Sequence, residues 1–232
     1  MSGQQRPGIE GARVCLEMGT KRVFASALEW PGWCRSARGE SEALEALIGY
    51  AHRYRDALAV GGVSFEPPAA VTDLAVVARH EGSGATDFGV PSVISDDHER
   101  PLEGDEVDRW DAILAAAWVA FDQAVEAGAG HQLRLGPRGG GRSLDAIVEH
   151  VGGADVAYLS QLGSRQPRAS SGPDGMTRTV RERARRTLKA RASDAPLEEP
   201  SSVKRRWPPR YYVSRAAWHA LDHAWEIEDR IV

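Results

Sequence analysis

The sequence predicts an α+β protein in which a small β-β-β-α-β unit precedes an all-α four-helix bundle. Three observations lead there. Apolar residues alternate between Ala12 and Leu28, every long segment after Asp105 has helical periodicity, and a stretch rich in Gly, Ser, Asp and Pro lies between the two patterns. The expected division is 11–80 for the mixed unit, 81–104 for a connector and 105–232 for the bundle, each unit with its own core.

Residues 1–10 carry no apolar pattern and read as a lead-in. Val14, Leu16 and Met18 then alternate up to a turn at Gly19-Thr20, and Val23 to Leu28 form the second arm of a hairpin. Trp30-Pro31-Gly32-Trp33 breaks the strand, and a short third strand is expected before Gly39. Ser41 is placed to cap a helix with Ala43, Leu44, Leu47, Ile48, Ala51 and Tyr54 on one face. Gly61-Gly62 ends it, and Leu74 to Val77 read as a further strand.

Four helices follow. The first spans about 105–127, with Val107, Trp110, Leu114, Ala117, Phe121 and Val125 on one stripe and Gly128 as its stop. Ser143 caps the second, whose stripe runs through Leu144, Ile147, Val148, Val151, Tyr158, Leu159 and Leu162. The third, about 176–191, has a thin stripe of Met176, Val180, Ala184 and Leu188. The fourth, about 211–230, follows Trp207-Pro208-Pro209 and has a seam of Tyr211, Trp218, Leu221 and Trp225. Four amphipathic helices joined by loops make a bundle the expected architecture.

Composition narrows the function classes. A net charge of −4 over 232 residues argues against a chain that coats nucleic acid with its whole surface. Cys15 and Cys34, 19 residues apart, suggest neither a disulfide framework nor a thiolate zinc site. Free thiols fit a reducing compartment, and neither an apolar leader nor a run of eighteen apolar residues is seen, so a cytoplasmic protein without a membrane partner is expected.

The chemistry concentrates in the last helix, at Trp218-His219-Ala220-Leu221-Asp222-His223-Ala224-Trp225-Glu226. Histidines at i and i+4 stand one turn apart, about 5–6 Å between Cβ atoms. That spacing lets two imidazoles share one divalent ion. Asp222 and Glu226 flank them as candidate catalytic acids or bases, and His150 in the second helix is the best-placed third ligand. The bland reading is a solvated polar face, since Arg215, His219, Asp222, His223 and Glu226 mix charges beside the apolar seam. Periodicity leaves open whether that face looks into a cleft or into water.

The segments 144–151, with Glu149-His150, and 217–226, with the H-x-x-x-H pair, resemble helices 2 and 4 of the DinB/YfiT-like family. The resemblance covers about 105–232, and its specific part is the last helix. It implies one divalent ion, zinc or nickel, held by His150, His219 and His223. It further implies a thiol-dependent transferase or isomerase using a low-molecular-weight thiol such as mycothiol or bacillithiol, though many members of the family carry no demonstrated activity. Residues 30–47, from Trp30-Pro31-Gly32-Trp33 through Gly39 into the Glu/Ala-rich helix, resemble the HicB-like pattern and imply a degenerate RNase-H-like fold for 11–80. No DNA-binding tail of the antitoxin kind follows, so a structural or ligand-sensing role is expected of that unit.

The remaining signals carry less. Arg178, Arg181, Arg183, Arg185, Arg186, Lys189 and Arg191 crowd the third helix, followed by Lys204-Arg205-Arg206. A solvated helix face is the commoner explanation of such a run; a phosphate-contacting patch or a counter-surface for an anionic substrate are the others. The run 136–143 precedes a helix but lacks a phosphate-loop lysine and reads as a flexible loop. Cys34 alone, with no partner identified, reads as inert. The leading expectation is therefore a metal-dependent thiol transferase, with a small-molecule substrate and a homodimer as a compatible assembly. The competing class is a non-catalytic regulatory or binding protein acting through protein or nucleic-acid contacts.

Overall fold

A hairpin opens the fold: β1 (Ala12–Met18) runs antiparallel to β2 (Val23–Ala27) with Leu16 opposite Ala25. The turn closes where Gly19 N–H donates to the Arg22 carbonyl at 2.8 Å. The computed structural model describes residues 11–135, 141–167 and 173–232, without the side chains of 173–176. The lead-in 1–10, most of the Gly-rich run before Ser143 and the Met176 side chain lie outside the described residues. β3 (Cys34–Ala37) pairs antiparallel with β2, and β4 (Leu74–Glu81) lies parallel to β1. The sheet order is β3-β2-β1-β4.

The helix expected after Gly39 is two helices. α1 (Glu40–Gly49) begins one residue before Ser41, with extended Gly39 at its N-cap and no side-chain cap. Glu40 and Glu42 in the first turn favour that end through the helix dipole. Tyr50, at φ −100 and ψ 0, turns the chain into α2 (Ala51–Ala59). The bend divides the apolar face: α1 covers β2 and β3, and α2 packs on the first long helix.

The Trp-Pro-Gly-Trp turn locks this arrangement. Trp33 is fully buried, and its indole N–H donates to the Leu47 carbonyl at 2.9 Å. Tyr54, stacked on Trp33, donates its hydroxyl to the Pro31 carbonyl at 2.9 Å. Gly32 has φ +92, and a Cβ there would stand 2.9 Å from the Ala217 Cβ. Only glycine meets both demands without strain.

Residues 81–104 carry two short helices, α3 (Gly84–Phe88) and α4 (Asp96–Glu99). The carboxylate of buried Glu17 on β1 accepts from Ser92 N–H, Val93 N–H and the Thr86 hydroxyl, which pins the segment to the sheet. α4 then packs on the last helix.

The four long helices are α5 (Asp105–Gly128), α6 (Leu144–Leu162), α7 (Pro173–Ala192) and α8 (Pro209–Arg230). Each touches the other three, and the longest interface joins α5 to α8. Ser143 caps α6 by accepting from Ala146 N–H at 3.3 Å, and Pro209 opens α8 where a missing N–H is harmless. α8 is buried along most of its length. Its aromatic seam meets the sheet side of the molecule: Trp218 stands edge-on to Phe24 at 6.0 Å, and Trp225 packs on Tyr50 at 5.0 Å. The apolar residues of the two halves, expected to form separate cores, join in one cluster from Leu16 and Trp33 to Leu114 and Leu221. The molecule is mixed α+β, a four-stranded sheet followed by helices. No helix among the described residues is long and apolar enough to cross a membrane.

Candidate metal centre

α6 and α8 cross so that His150 meets the pair one turn apart on α8. One ligand atom from each of His150, His219 and His223 lies within 4.8 Å of the other two. The ring centroids are 4.7 to 5.0 Å apart, and Nε2 of His150 stands 3.1 Å from Nε2 of His219. Ligand nitrogens on a tetrahedral zinc, at about 2.0–2.1 Å from the ion, stand about 3.3 Å apart. Two imidazole nitrogens at 3.1 Å repel through their lone pairs unless a proton or a cation lies between them. A proton shared as an N–H···N hydrogen bond meets this condition, and so would an ion held by one nitrogen from each of the three rings.

Burial settles what periodicity left open. His219 and His223 are only 7% and 8% exposed, while His150 stands at the mouth of the site. The polar face of α8 at these positions looks inward. Burial pushes the His219 imidazole down to about 2, helped by His223 and His150 as potential like charges. His150 is also lowered, by the covered part of its ring and by Arg142 and His223. Both rings are neutral at pH 7, the form that binds metal.

Glu226 and Asp222 part company. Glu226 Oε2 lies 2.8 Å from Nδ1 of His223, and its other oxygen accepts from Arg230. The hydrogen bond from His223 is the main reason its carboxyl sits below the usual range. Such a contact holds the His223 proton on Nδ1 and leaves the Nε2 lone pair available to a metal ion. Asp222 is engaged elsewhere: it pairs at 2.8 Å with Arg35 of β3, whose guanidinium lies over the Tyr50 ring. Glu226 is therefore the acid placed to act on the cluster. Two neighbours escaped the sequence reading. Tyr158 of α6 packs its ring on His219 at 5.7 Å, and Arg230 braces Glu226. Arg230 stands four residues after Glu226, a helical ion-pair spacing that was legible; Tyr158 looked like one more stripe residue.

The basic run on α7 is largely neutralised by carboxylates. Arg181 lies between Asp155 and Asp122, Arg185 holds Asp111 at 2.7 Å, Lys189 holds Asp108 at 3.0 Å, and Arg183 pairs with Glu198. Most of the run serves packing against α5 and α6 and the loop after α7. Cys34 is buried and burial pushes its thiol up to about 12, so it is neutral and unreactive at pH 7.

Comparison of the chain with family models, with curated proteins and with solved structures finds no match.

Proposed function

We propose that the chain is a DinB-like metal protein in which His150, His219 and His223 hold one zinc or nickel ion, acting as a thiol-dependent transferase or related isomerase. The observation that supports it is the convergence of three imidazoles from two helices, His150 and His219 being 69 residues apart in sequence. When bound, the ion supplies a charge that lowers the pKa of a low-molecular-weight thiol, of the mycothiol or bacillithiol type, and favours its thiolate. The chain's own residues do the rest. His219 remains neutral, Glu226 orients His223, and Tyr158 covers one side of His219. In the same proposal the helices are a DinB-like bundle and 11–80 is a HicB-like module. Two free, buried cysteines support a reducing, cytoplasmic setting.

The test uses cobalt(II) as a coloured substitute for zinc. The cobalt-loaded chain is titrated with mycothiol and with bacillithiol, and a sulfur-to-cobalt charge-transfer band is expected to grow with at least one of them. A spectrum unchanged by either thiol would remove the transferase reading and leave a non-catalytic binding or regulatory protein.

A further inference from the structure

A cavity lies between the sheet and α8, and none of the three histidines lines it. Its floor is the sheet, where Cys15, Ser26 and Cys34 stand in a row across three paired strands. Its roof is Arg215 and Trp218 of α8, and the segment carrying Pro91 and His98 closes one side. That side is fastened from both ends: Glu17 holds Ser92 and Val93, and Arg215 donates to the Pro91 carbonyl at 3.2 Å.

The charges in this wall are unequal. Glu17 lines the cavity too, but its oxygens are covered by the donors of Thr86, Ser92 and Val93. Both thiols are neutral, raised by burial to about 12, and burial pushes His98 down to about 4. Arg215 differs from the ion-paired arginines of the fold, such as Arg35, Arg181, Arg185 and Arg210. Its guanidinium lies over the Trp218 ring at 4.8 Å and the Tyr158 ring at 5.5 Å, and among the described residues no carboxylate pairs with it. One N–H of this guanidinium is taken by the Pro91 carbonyl, and its further N–H groups match the fork of a planar carboxylate.

We propose that this cavity is a binding site for a small carboxylate, anchored by Arg215. Size sets the class. The cavity volume is about 40 Å³, room for about three waters, which admits an acetate-sized anion and excludes a nucleotide or a peptide side chain of any length. The carboxylate would meet Arg215, and the short apolar remainder would rest against Trp218 and the neutral floor. None of the three histidines lines the cavity, so the proposal does not rest on a metal there.

Acetate is the probe, with acetamide as its neutral isostere, titrated into the full chain and followed by ligand-observed NMR. Saturable acetate binding with a Kd of about 0.1–10 mM is expected, the range that four non-hydrogen atoms can reach, with acetamide at least about tenfold weaker. Arg215→Gln should weaken acetate by about tenfold or more, and Ser26→Val, which fills the floor, should do the same. His223→Ala should leave it unchanged. The proposal is overturned if acetate does not saturate, if acetamide binds as well, or if the His223 variant loses binding. Retention of full affinity in Ser26→Val overturns it as well, and that variant decides the matter if Arg215→Gln fails to fold.

Discussion

Nδ1 of His223 lies 2.8 Å from Oε2 of Glu226, three residues further along α8, and Arg230 braces the same carboxylate from the next turn. The contact fixes ring and tautomer together. Glu226→Ala should therefore weaken zinc or nickel binding by about 10–100-fold with the helices intact, and Glu226→Gln, which keeps an acceptor oxygen, by less. Competition with a chromogenic chelator measures both. Equal affinity in the alanine variant and the parent would mean that Glu226 does not support a ligand.

Gly32 joins the sheet side of the molecule to α8. A methyl group there meets both a φ of +92 and the Ala217 Cβ at 2.9 Å. Gly32→Ala should destabilise the protein by about 1–3 kcal/mol, through backbone strain plus overpacking. Urea unfolding with an unchanged m-value would show it; a loss below about 0.5 kcal/mol would indicate that the interface yields freely.

Acid should weaken the fold through His98. Its imidazole, pushed down to about 4 by burial, holds no proton in the folded protein at pH 5, whereas the unfolded chain's ordinary 6.5 imidazole does. The unfolded state binds more protons, so stability falls as the pH drops from 6.5 and the loss is complete below about 4. Between pH 6.5 and 5 this group should contribute about 1–2 kcal/mol of loss. His98→Gln should flatten the stability-versus-pH curve by that amount in urea titrations. An unaltered slope would show that His98 is not the source.

Much of this architecture was legible in the sequence. Ser143 marks the start of α6 because a side-chain oxygen caps it locally, and the hairpin turn follows from the break in alternation at Gly19. The bend at Tyr50 was not legible, since neither Gly nor Pro marks it; it arises because α1 and α2 have different packing partners. Nor does the seam of Trp218 and Trp225 say which neighbour it meets, and that is why one core was read as two. At the site, the spacing of His219 and His223 was plain. Their depth was not, because a helical face looks the same in sequence whether it is wet or dry. Asp222 and Glu226 stood equal until Arg35 took one and His223 the other.

The basic residues of α7 should not make the protein a tight DNA binder. Most of those charges are held by Asp108, Asp111, Asp122, Asp155 and Glu198, and phosphate contact would require breaking those pairs. Fluorescence anisotropy with a duplex oligonucleotide near physiological salt should show no submicromolar binding. A salt-dependent submicromolar Kd would favour the regulatory reading.

The central claim is that His150, His219 and His223 share one ion, and metal content tests it most directly. The chain is purified without a histidine tag, equilibrated with zinc or nickel, dialysed and measured by elemental mass spectrometry beside His223→Ala. About one equivalent is expected in the parent and less than about one tenth in the variant, with the same helical circular dichroism, because a fold with one continuous apolar core does not need the ion to form. No retained metal in the parent, or a full equivalent in His223→Ala, would contradict the assignment and the thiol chemistry built on it.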